Sequence, residues 1–269
     1  MEMAYRIIQP CAALQPYVQM YWAFDSQLDT PVRKRVPDGM ASAVINIENF
    51  SWIDRGDSRE APYGAQLQGL CTRPYTLYAQ QKTASFGVIF RPEASGLLFG
   101  LPLRDMTDSA ADLEGVMGLP AKNWIEQIRN AADDRERGCI ADAFFLRRLQ
   151  RRAIAHPYLD NALSLIRKSR GNIEVEQLSR QLFVGRRQLE RQFRAHLGLS
   201  PKMVLRIERF RNALQSPQAS AGRGNLTAIA HTSGYADQAH FIRDCRELAG
   251  ETPSQLFALS RGLNSGVLF

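Results

Sequence analysis

The first 110 residues alternate short apolar runs with Pro, Gly and Asp. Four of these runs have the length and the period-two alternation of β-strands, at residues 17–24, 43–47, 66–70 and 86–90. Pro37-Asp38-Gly39 predicts a tight turn, because proline fixes its own φ and glycine accepts a positive φ. Many short strands at this spacing favour a sandwich, a jelly roll or a small barrel.

A helical period replaces this alternation between about residues 120 and 152. Apolar residues recur there at short helical steps: Trp124, Ile125, Ile128, Ile140, Ala143, Phe144, Leu146 and Leu149. The polar stretch AADDRERG between the two groups suits a loop or a frayed helix end. The segment is therefore predicted to be helical, and it either joins two domains or docks on the sheets.

The remaining chain contains one stretch that occurs twice. Residues 178–201 read LSRQLFVGRRQLERQFRAHLGLSP, and residues 229–253 read IAHTSGYADQAHFIRDCRELAGETP. A shift of 52 aligns the second halves and a shift of 51 aligns the first halves, so the second copy has one more residue in its turn. Each copy predicts a short helix, a turn and a second amphipathic helix, which is a helix-turn-helix.

Residues that start and end helices mark the bounds of these elements. Gly198 and Gly250 suit the left-handed residue that follows a helix. Ser200 caps a connecting helix that begins at Pro201 and runs to residue 214. Its 14 residues span about 21 Å at 1.5 Å per residue.

The second helix of each copy places apolar residues inward and mostly basic residues outward. The inward residues are Leu189, Phe193, Leu197, Phe241, Cys245 and Leu248. The outward residues are Arg186, Arg187, Glu190, Arg191, Arg194, Gln238, His240, Arg243 and Arg246.

This paired pattern resembles the DNA-binding domain of AraC/XylS-type transcriptional regulators over roughly residues 158–257. The resemblance is carried by GLSP, GETPSQLF, Gly234-Tyr235, His240-Phe241 and Arg243. Three residues depart from the family's pattern. Phe183 stands where a turn glycine is usual, Gly185 where a capping serine is common, and Cys245 where a phenylalanine is usual.

The N-terminal runs RVPDGMASAVINI, LQGLCTRPYTLY and VIFRPEASGLLFG are similar to the N-terminal domain of a subgroup of these regulators. That resemblance implies a cupin-like jelly roll with a sensing or regulatory role. It also implies a following segment that connects the domains and serves in dimerisation. Eight aromatic residues either line a ligand cavity or fill the core: Trp22, Phe24, Trp52, Tyr63, Tyr75, Tyr78, Phe86 and Phe90.

The predicted fold class is α+β. An N-terminal β-rich, cupin-like jelly roll or barrel precedes a C-terminal all-α domain of two helix-turn-helix units joined by a connecting helix. The expected bounds are 1–118 for the sensing or regulatory domain, 119–154 for the helical linker or dimerisation segment, 155–260 for the DNA-binding domain and 261–269 for a C-terminal tail.

Charge divides the chain in the same way. Residues 1–150 hold 16 Lys and Arg against 18 Asp and Glu, a net of −2, whereas residues 151–269 hold 18 against 9, a net of +9. A basic surplus confined to one domain is expected where that domain contacts a polyanion. A surface that is basic only for solubility is the weaker interpretation, because the repeat places arginines on two helix faces.

The N-terminal part carries little that supports catalysis. All four histidines lie after residue 155, so a cupin metal site would have no imidazole ligand there. No nucleophile elbow, P-loop or dinucleotide motif is present, and Asp38 and Glu48 are interpreted as a turn cap and a solvated carboxylate. We therefore expect no catalytic residue, no metal and no cofactor.

Cysteine spacing and hydropathy bear on the compartment. The cysteines are predicted to be buried free thiols, because they are scattered at Cys11, Cys71, Cys139 and Cys245. The chain shows no apolar run of about 18 residues and no charged-then-apolar leader. These observations predict a cytoplasmic protein with no membrane partner.

The outward residues are assigned to two kinds of DNA contact. Base contacts are expected from Arg187, Glu190, Arg191, Gln238, Ala239, His240 and Arg243, and phosphate contacts from Arg186, Arg194 and Arg246. Arginine forks onto guanine, glutamine onto adenine, and an alanine methyl meets thymine, whereas phosphate contacts fix the register. Glu190 either orients Arg187 or Arg191 or accepts from cytosine.

The leading interpretation is a sequence-specific regulator that reads two adjacent major-groove segments of double-stranded DNA. An effector, or assembly through the N-terminal domain, would modulate it. An architectural DNA-binding protein without an effector is the alternative, and an enzyme with an N-terminal pocket is the remote one. A small-molecule effector, RNA polymerase and a second copy of the chain remain open as partners.

Overall fold

The computed structural model describes residues 4–26, 32–49, 51–56, 59–60, 63–79, 82–99, 103–151, 157–216, 225–261 and 266–268. Their strands are β1 (Ala4–Ile8), β2 (Val18–Ser26), β3 (Val32–Arg35), β4 (Ala41–Glu48), β5 (Ser51–Asp54), β6 (Arg59–Glu60), β7 (Ala65–Gln68), β8 (Tyr75–Ala79), β9 (Thr83–Phe90), β10 (Ala110–Asp112) and β11 (Gly266–Leu268).

The helices begin directly after β9. They are α1 (Pro92–Phe99), a 3₁₀ turn (Leu103–Met106), α2 (Leu113–Met117), α3 (Leu119–Asn130), α4 (Asp134–Arg151), α5 (Pro157–Lys168), α6 (Val175–Gln181), α7 (Arg186–Leu197), α8 (Pro201–Leu214), α9 (Leu226–Thr232), α10 (Gln238–Ala249) and α11 (Pro253–Arg261). No helix in the described ranges is long and apolar enough to cross a membrane.

Two sheets form the N-terminal part of the protein. The larger has the strand order β1-β2-β9-β4-β7-β10, and the smaller has the order β11-β3-β8-β5-β6. The pairs are antiparallel, except that β11 near the C-terminus pairs parallel with β3. All four runs predicted as strands are strands, and Gly39 in the predicted turn has a φ of +72°. The predicted β-rich N-terminal part followed by a helical C-terminal part is confirmed.

The larger sheet has two chemically different faces because side chains alternate along each strand. On its outer face, Phe86, Val88 and Phe90 of β9 pack beneath helices in a large apolar core. The opposite, inner face carries buried polar side chains: Ser42, Asn46, Gln66, Gln68, Thr83 and Ser85. Tyr75 of the smaller sheet donates to Gln68 Oε1 at 2.7 Å, so this inner face looks toward the second sheet.

Helices cover the outer face, as the helical period predicts. The ring of Phe90 meets Phe99 of α1 edge-on at 4.7 Å and Phe145 of α4 at 5.2 Å. The polar stretch between the two helical groups consists of a loop at residues 131–133 and the first turn of α4, which begins at Asp134. The loop interpretation therefore holds for residues 131–133, and residues 134–138 belong to the helix.

The repeat appears in the helices with the predicted offsets. α6 and α9 both have 7 residues and are 51 positions apart, and α7 and α10 both have 12 residues and are 52 positions apart. The extra residue lies in the second turn, which spans residues 233–237 against 182–185 in the first. The connecting helix α8 has the predicted bounds, and Ser200 Oγ accepts from the backbone N of Met203 at 3.2 Å.

The two repeats are buried in different cores. Leu178, Leu189 and Phe193 belong to the core that also contains the outer face of the larger sheet and α1–α5. The corresponding residues of the second repeat form a separate core with the end of α8, into which Val36 of the N-terminal part inserts. The second repeat is thus the more independent of the two.

Most of the eight aromatic residues of the N-terminal part fill the core, which was one of the two interpretations. Trp22, Phe24, Tyr75, Phe86 and Phe90 are buried, with Trp22 and Phe24 in a small cluster apart from the large core that holds Phe86 and Phe90. Tyr63 and Tyr78 are 44% and 38% exposed, and the side chain of Trp52 lies outside the described residues. Cys139 is exposed instead of buried, because it lies on the solvent side of α4.

The two carboxylates considered for catalysis have structural partners. Asp38 caps its turn by accepting from the backbone N of Met40 at 2.9 Å, and it also pairs with the buried Arg35 at 2.7 Å. Glu48 is exposed and lies 3.1 Å from Lys82 Nζ.

Candidate nucleic-acid interface

We call α6 and α7 with their turn the first unit, and α9 and α10 with their turn the second unit. The same backbone hydrogen bonds close both turns. In the first unit, Val184 N donates to Ser179 O at 3.1 Å; in the second, Tyr235 N donates to Ala230 O at 2.9 Å. The two units therefore share one backbone design despite the extra residue.

Both units place a left-handed residue at the same point of the turn. In the second unit this residue is Gly234, with φ +80°, whereas in the first it is Phe183, with φ +53° and a side chain that is 97% exposed. A Cβ in this region costs roughly 1–2 kcal/mol in steric strain. The departure of Phe183 from the family's glycine thus left the backbone in place and introduced strain.

The recognition helices, α7 and α10, end alike but begin differently. Gly198 and Gly250 are left-handed, with φ of +75° and +68°, and both donate back to the last turn of their helix. At the start of α10, the Asp237 carboxylate accepts from the backbone N of His240 at 2.7 Å. At the start of α7, Gly185 has no side chain to do this.

Most arginines that are predicted to contact DNA are available for it. Five of them are exposed, and their guanidinium groups form no hydrogen bond or ion pair with any residue that the structure describes: Arg187, Arg191, Arg194, Arg243 and Arg246. Uncompensated guanidinium groups on recognition helices are suited to phosphate oxygens and to the acceptor edge of guanine.

Glu190 has a different partner from the two that were expected. Its Oε1 accepts from Arg186 Nε at 3.1 Å, four residues earlier on α7. In the free protein Glu190 therefore pairs with Arg186, and its role in the complex with DNA stays a prediction. Because this pair is exposed, it contributes little to stability, and DNA can compete for Arg186.

In the second unit, the predicted base-contacting residues surround the start of α10. Gln238 Oε1 accepts from the Thr227 hydroxyl at 2.9 Å, so its amide nitrogen is oriented outward from that bond. The His240 ring stands edge-on against Tyr235 at 5.1 Å, which fixes its plane. Ala239 is exposed beside them. At the start of α7, by comparison, the Arg186–Glu190 pair is the side-chain contact that the structure gives for the predicted DNA-contacting residues.

An ion-pair group that sequence reasoning missed anchors α10 to α8. Arg206 of α8 lies 2.8 Å from Asp244 Oδ1, and it also pairs with Glu247. Burial opposes the charge of Arg206, but the hydrogen bonds that it donates to Glu247 and Asp244 outweigh this effect and raise its pKa. The signal available in the sequence was Asp244 itself, a carboxylate on the inward face of α10 between Phe241 and Cys245.

A second anchor lies at the turn. Arg209 of α8 stands 5.5 Å over the Tyr235 ring and donates to Gly234 O at 3.4 Å. Burial, followed by the nearby Asp244 charge, raises the pKa of Tyr235, so its hydroxyl stays protonated. Together with Arg206, this contact fixes α10 relative to the connecting helix.

The N-terminal part contacts the C-terminal end of both recognition helices. At Gly198, an added Cβ would lie 2.7 Å from Arg104 Cα and 2.1 Å from Thr107 Oγ1, so the close approach requires glycine. At the other helix, Lys34 Nζ lies 2.7 Å from Glu251 Oε1, directly after Gly250. Sequence reasoning missed these contacts, since residues more than 90 positions apart form them without a shared motif.

Comparison with known proteins supports this description. Residues 178–258 match a family described as a helix-turn-helix domain, and residues 6–112 match a family described as a domain of unknown function. No curated protein matches the chain by sequence.

Solved structures extend the likeness to the fold. An apo single-substitution variant of ToxT from Vibrio cholerae has a TM-score of 0.53 at 12% identity, covering 89% of this chain and 96% of that one. ToxT from the same organism with a bound unsaturated fatty acid has a TM-score of 0.51 at 11% identity, covering 90% and 95%. An AraC-type DNA-binding domain from Chromobacterium violaceum is 26% identical over 38% of this chain and 90% of its own, with a TM-score of 0.35.

The sequence motif, the two units and the ToxT-like architecture agree with one another. The chain has an AraC-type helix-turn-helix domain at its C-terminus, and its overall fold is similar to that of ToxT.

Proposed function

We propose that the protein is a sequence-specific transcriptional regulator that reads two successive major-groove segments with α7 and α10. The observation that carries the proposal is the set of five exposed arginines on these helices without a partner among the described residues. Structural arginines normally acquire carboxylate partners, as Arg206 does. Arginines that are held on two recognition helices without such partners suit an external polyanion.

The connecting helix supports reading by both units at once. Successive major-groove segments on one face of DNA lie about 34 Å apart. α8 spans about 21 Å, and side chains of both units pack on it. Because Arg206 and Arg209 fix α10 on this helix, the second unit approaches DNA with a set orientation.

Each predicted contact residue keeps a proposed role. Base reading is assigned to Arg187, Glu190, Arg191, Gln238, Ala239, His240 and Arg243, and phosphate contact to Arg186, Arg194 and Arg246. In the free protein Glu190 holds Arg186, so DNA binding exchanges that pair for a phosphate contact. The released carboxylate is then available to cytosine.

A selection of bound fragments from random DNA tests the proposal, followed by affinity measurements at several salt concentrations. Specific binders exceed their random-DNA affinity by about 10³-fold or more. A ratio near one would identify an architectural protein and overturn sequence-specific reading.

Two arginine variants distinguish a base-reading contact from a phosphate contact. Arg243→Ala should cost about 1–3 kcal/mol on the selected site and relax the preference at one position. Arg246→Ala should weaken binding to all sequences and reduce the salt slope by about one. The exposed Arg135 of α4 offers a matched control, because Arg135→Ala removes the same charge far from both units in the sequence.

Regulation is proposed to begin on the inner face of the larger sheet. A sheet pair that serves only as a scaffold fills its interior with apolar side chains. Here the interior holds several buried polar groups together with the Arg35–Asp38 ion pair, and Thr83 Oγ1 has no hydrogen-bond partner in the described structure. A polar small molecule is the effector that this surface suits, and a bound ligand in a ToxT structure of similar fold agrees with a ligand-dependent regulator.

Strand β3 links this polar interior to the second helix-turn-helix unit, so an effector bound in the interior would influence DNA binding through it. Arg35 points into the polar interior, while its neighbours Lys34 and Val36 contact Glu251 and the second unit's core. Lys34→Ala should leave folding intact and change any effector dependence of operator binding. If an effector found by thermal-shift screening acts equally on wild-type and Lys34→Ala protein, this route is wrong.

A further inference from the structure

The turn of the first helix-turn-helix unit exposes an aromatic side chain next to its recognition helix. Phe183 is 97% exposed, so its ring makes almost no contact within the protein. Among the residues that the structure describes, it is the most exposed of the large apolar side chains. Packing inside the protein therefore does not account for a phenylalanine at this position.

The backbone of Phe183 has a conformation that favours glycine. Its φ of +53° lies in the left-handed region, where a Cβ causes steric strain. Backbone hydrogen bonds hold the turn on both sides: Phe183 N donates to Arg180 O at 3.2 Å, and Val184 N donates to Ser179 O at 3.1 Å. Strained residues of this kind cluster at functional sites. The turn presents the ring in a defined place, so little backbone ordering is required when a partner binds.

The second unit has no room for a side chain at the equivalent position. An added Cβ on Gly234 would lie 2.8 Å from Cγ of Asn172, in the loop after α5. The equivalent space in the first unit is open, because the side chain of Phe183 is almost fully exposed. A partner that contacts this position therefore meets a side chain in the first unit only.

The surroundings of Phe183 are cationic. Arg180, Arg186 and Arg187 lie within four residues of it, and the sequence has no Asp or Glu between residues 177 and 189. Arg180 and Arg187 are exposed, and their guanidinium groups make no hydrogen bond or ion pair within the described ranges. An apolar protein surface would desolvate these charges without an anionic partner, whereas DNA supplies phosphates for them. The charges thus favour DNA as the partner of the ring.

Phe183 also lies close to the point where α7 is proposed to enter DNA. It precedes Arg186, the first residue of α7, by three positions, so their Cα atoms are at most about 11 Å apart. The major groove is about 12 Å wide, and a recognition helix contacts base edges there with its N-terminal residues. The ring is therefore within reach of the edge of the groove that α7 reads.

We propose that Phe183 is a specificity residue of the first unit and that its ring packs against the methyl group of a thymine. A phenyl ring has no hydrogen-bond donor or acceptor, and the thymine C5-methyl is the apolar group that base edges present in the major groove. The contact removes apolar surface of both groups from water. It rests on the proposed function, because it requires an operator that the first unit reads.

Selection of bound fragments from random DNA, with the wild type and with Phe183→Gly, tests the proposal. The variant is expected to fold, since the second unit has glycine at this point of its turn. The wild type should prefer thymine at one position where Phe183→Gly has no preference, and the other positions should agree. Tyr63→Ala removes an exposed ring of the N-terminal part and should select the wild-type sequence.

Deoxyuridine lacks only the methyl group of thymidine and so locates the contact. At the selected thymine, this replacement should weaken wild-type binding about fourfold in fluorescence anisotropy, the effect of exposing one methyl group. It should not change binding by Phe183→Gly, whereas Phe183→Leu should keep most of the response because its side chain is apolar. The salt dependence should be the same for all three proteins, because no charge changes.

The outcomes separate this contact from the proposed function. An equal uracil response in the wild type and Phe183→Gly, or no thymine preference that the variant loses, would overturn the contact and leave sequence-specific reading intact. A wild type that selects no sequence would overturn both. Unchanged operator binding by Phe183→Gly, together with lost regulation of a reporter gene, would overturn the DNA contact and identify the turn as a surface for another protein.

Discussion

The first and second helix-turn-helix units have the same helix lengths and turn hydrogen bonds, but different interactions hold them in place. The first unit is part of the large core that contains the outer face of the sheet. The second has a smaller core and is fixed by polar contacts from Arg206 and Arg209. A repeated sequence has thus produced a repeated backbone with two different means of support.

The two units also differ in the residues at their turns and helix caps. The second unit has the favourable residue at both critical points, Gly234 in its turn and Asp237 at its cap. The first unit has Phe183 and Gly185 at those points. The unit with the weaker local signals is the one that the N-terminal part supports most extensively, and tertiary packing compensates for its unfavourable turn and cap.

Removing a buried phenyl ring from each unit should give the largest effect. Phe193 and Phe241 are both fully buried, so Phe193→Ala and Phe241→Ala should each lower the free energy of unfolding by about 3–5 kcal/mol. Because the cores differ, hydrogen exchange should rise in α1–α5 and the sheet for Phe193→Ala, but only in α8–α11 for Phe241→Ala. The same exchange pattern in both variants would refute the two-core description.

Breaking the anchor of α10 should have the next largest effect. Arg206→Met leaves Asp244 buried without its partner and should cost about 2–4 kcal/mol, since an uncompensated buried charge is unfavourable. Adding Asp244→Leu removes that charge and should recover most of the loss in chemical denaturation. If the double variant is no more stable than Arg206→Met, Asp244 is not the cause. The first unit has no corresponding ion pair among its described residues, so only the second recognition helix should lose specific binding.

Exchanging the turn residues should give opposite effects of roughly 1 kcal/mol in the two units. Phe183→Gly relieves the left-handed strain and should raise the free energy of unfolding by about 0.5–1 kcal/mol. Gly234→Ala introduces strain and a Cβ 2.8 Å from the Asn172 side chain, so it should destabilise by at least about 1 kcal/mol. Thermal denaturation of both variants checks the pair. Loss of stability in Phe183→Gly would show that the exposed ring has a stabilising contact.

The features that were predicted from sequence depend on nearby residues. The bounds of α8 follow from Ser200 and Pro201, and the helix ends follow from Gly198 and Gly250. The strand β3, with the sequence VRKR, has no apolar alternation and was not predicted; Arg35 lies there because Asp38 and the polar interior accept it. Local rules do not anticipate a strand that distant partners stabilise.

The candidate interface shows the same limit. Its helices and outward residues follow from the 3.6-residue period, so they could be identified without a structure. The partner of Glu190, the anchoring by Arg206 and the contact between Gly198 and Arg104 depend on rotamers and on docking between distant segments. A one-dimensional pattern does not encode those distances.

The smallest expected effect concerns the cap of α7. Gly185 has the extended backbone of a helix cap, with φ −64° and ψ 142°, and an added Cβ would meet no atom within 4 Å. Gly185→Ser should therefore supply the missing acceptor and stabilise the protein by a few tenths of a kcal/mol. The matched change Asp237→Gly should cost a similar amount in the second unit, where the cap already exists. Urea denaturation of both variants measures the two effects, and no gain from Gly185→Ser together with no loss from Asp237→Gly would mean that capping does not distinguish the units. A gain confined to Gly185→Ser would show that the first unit lacks a local contact that its core replaces.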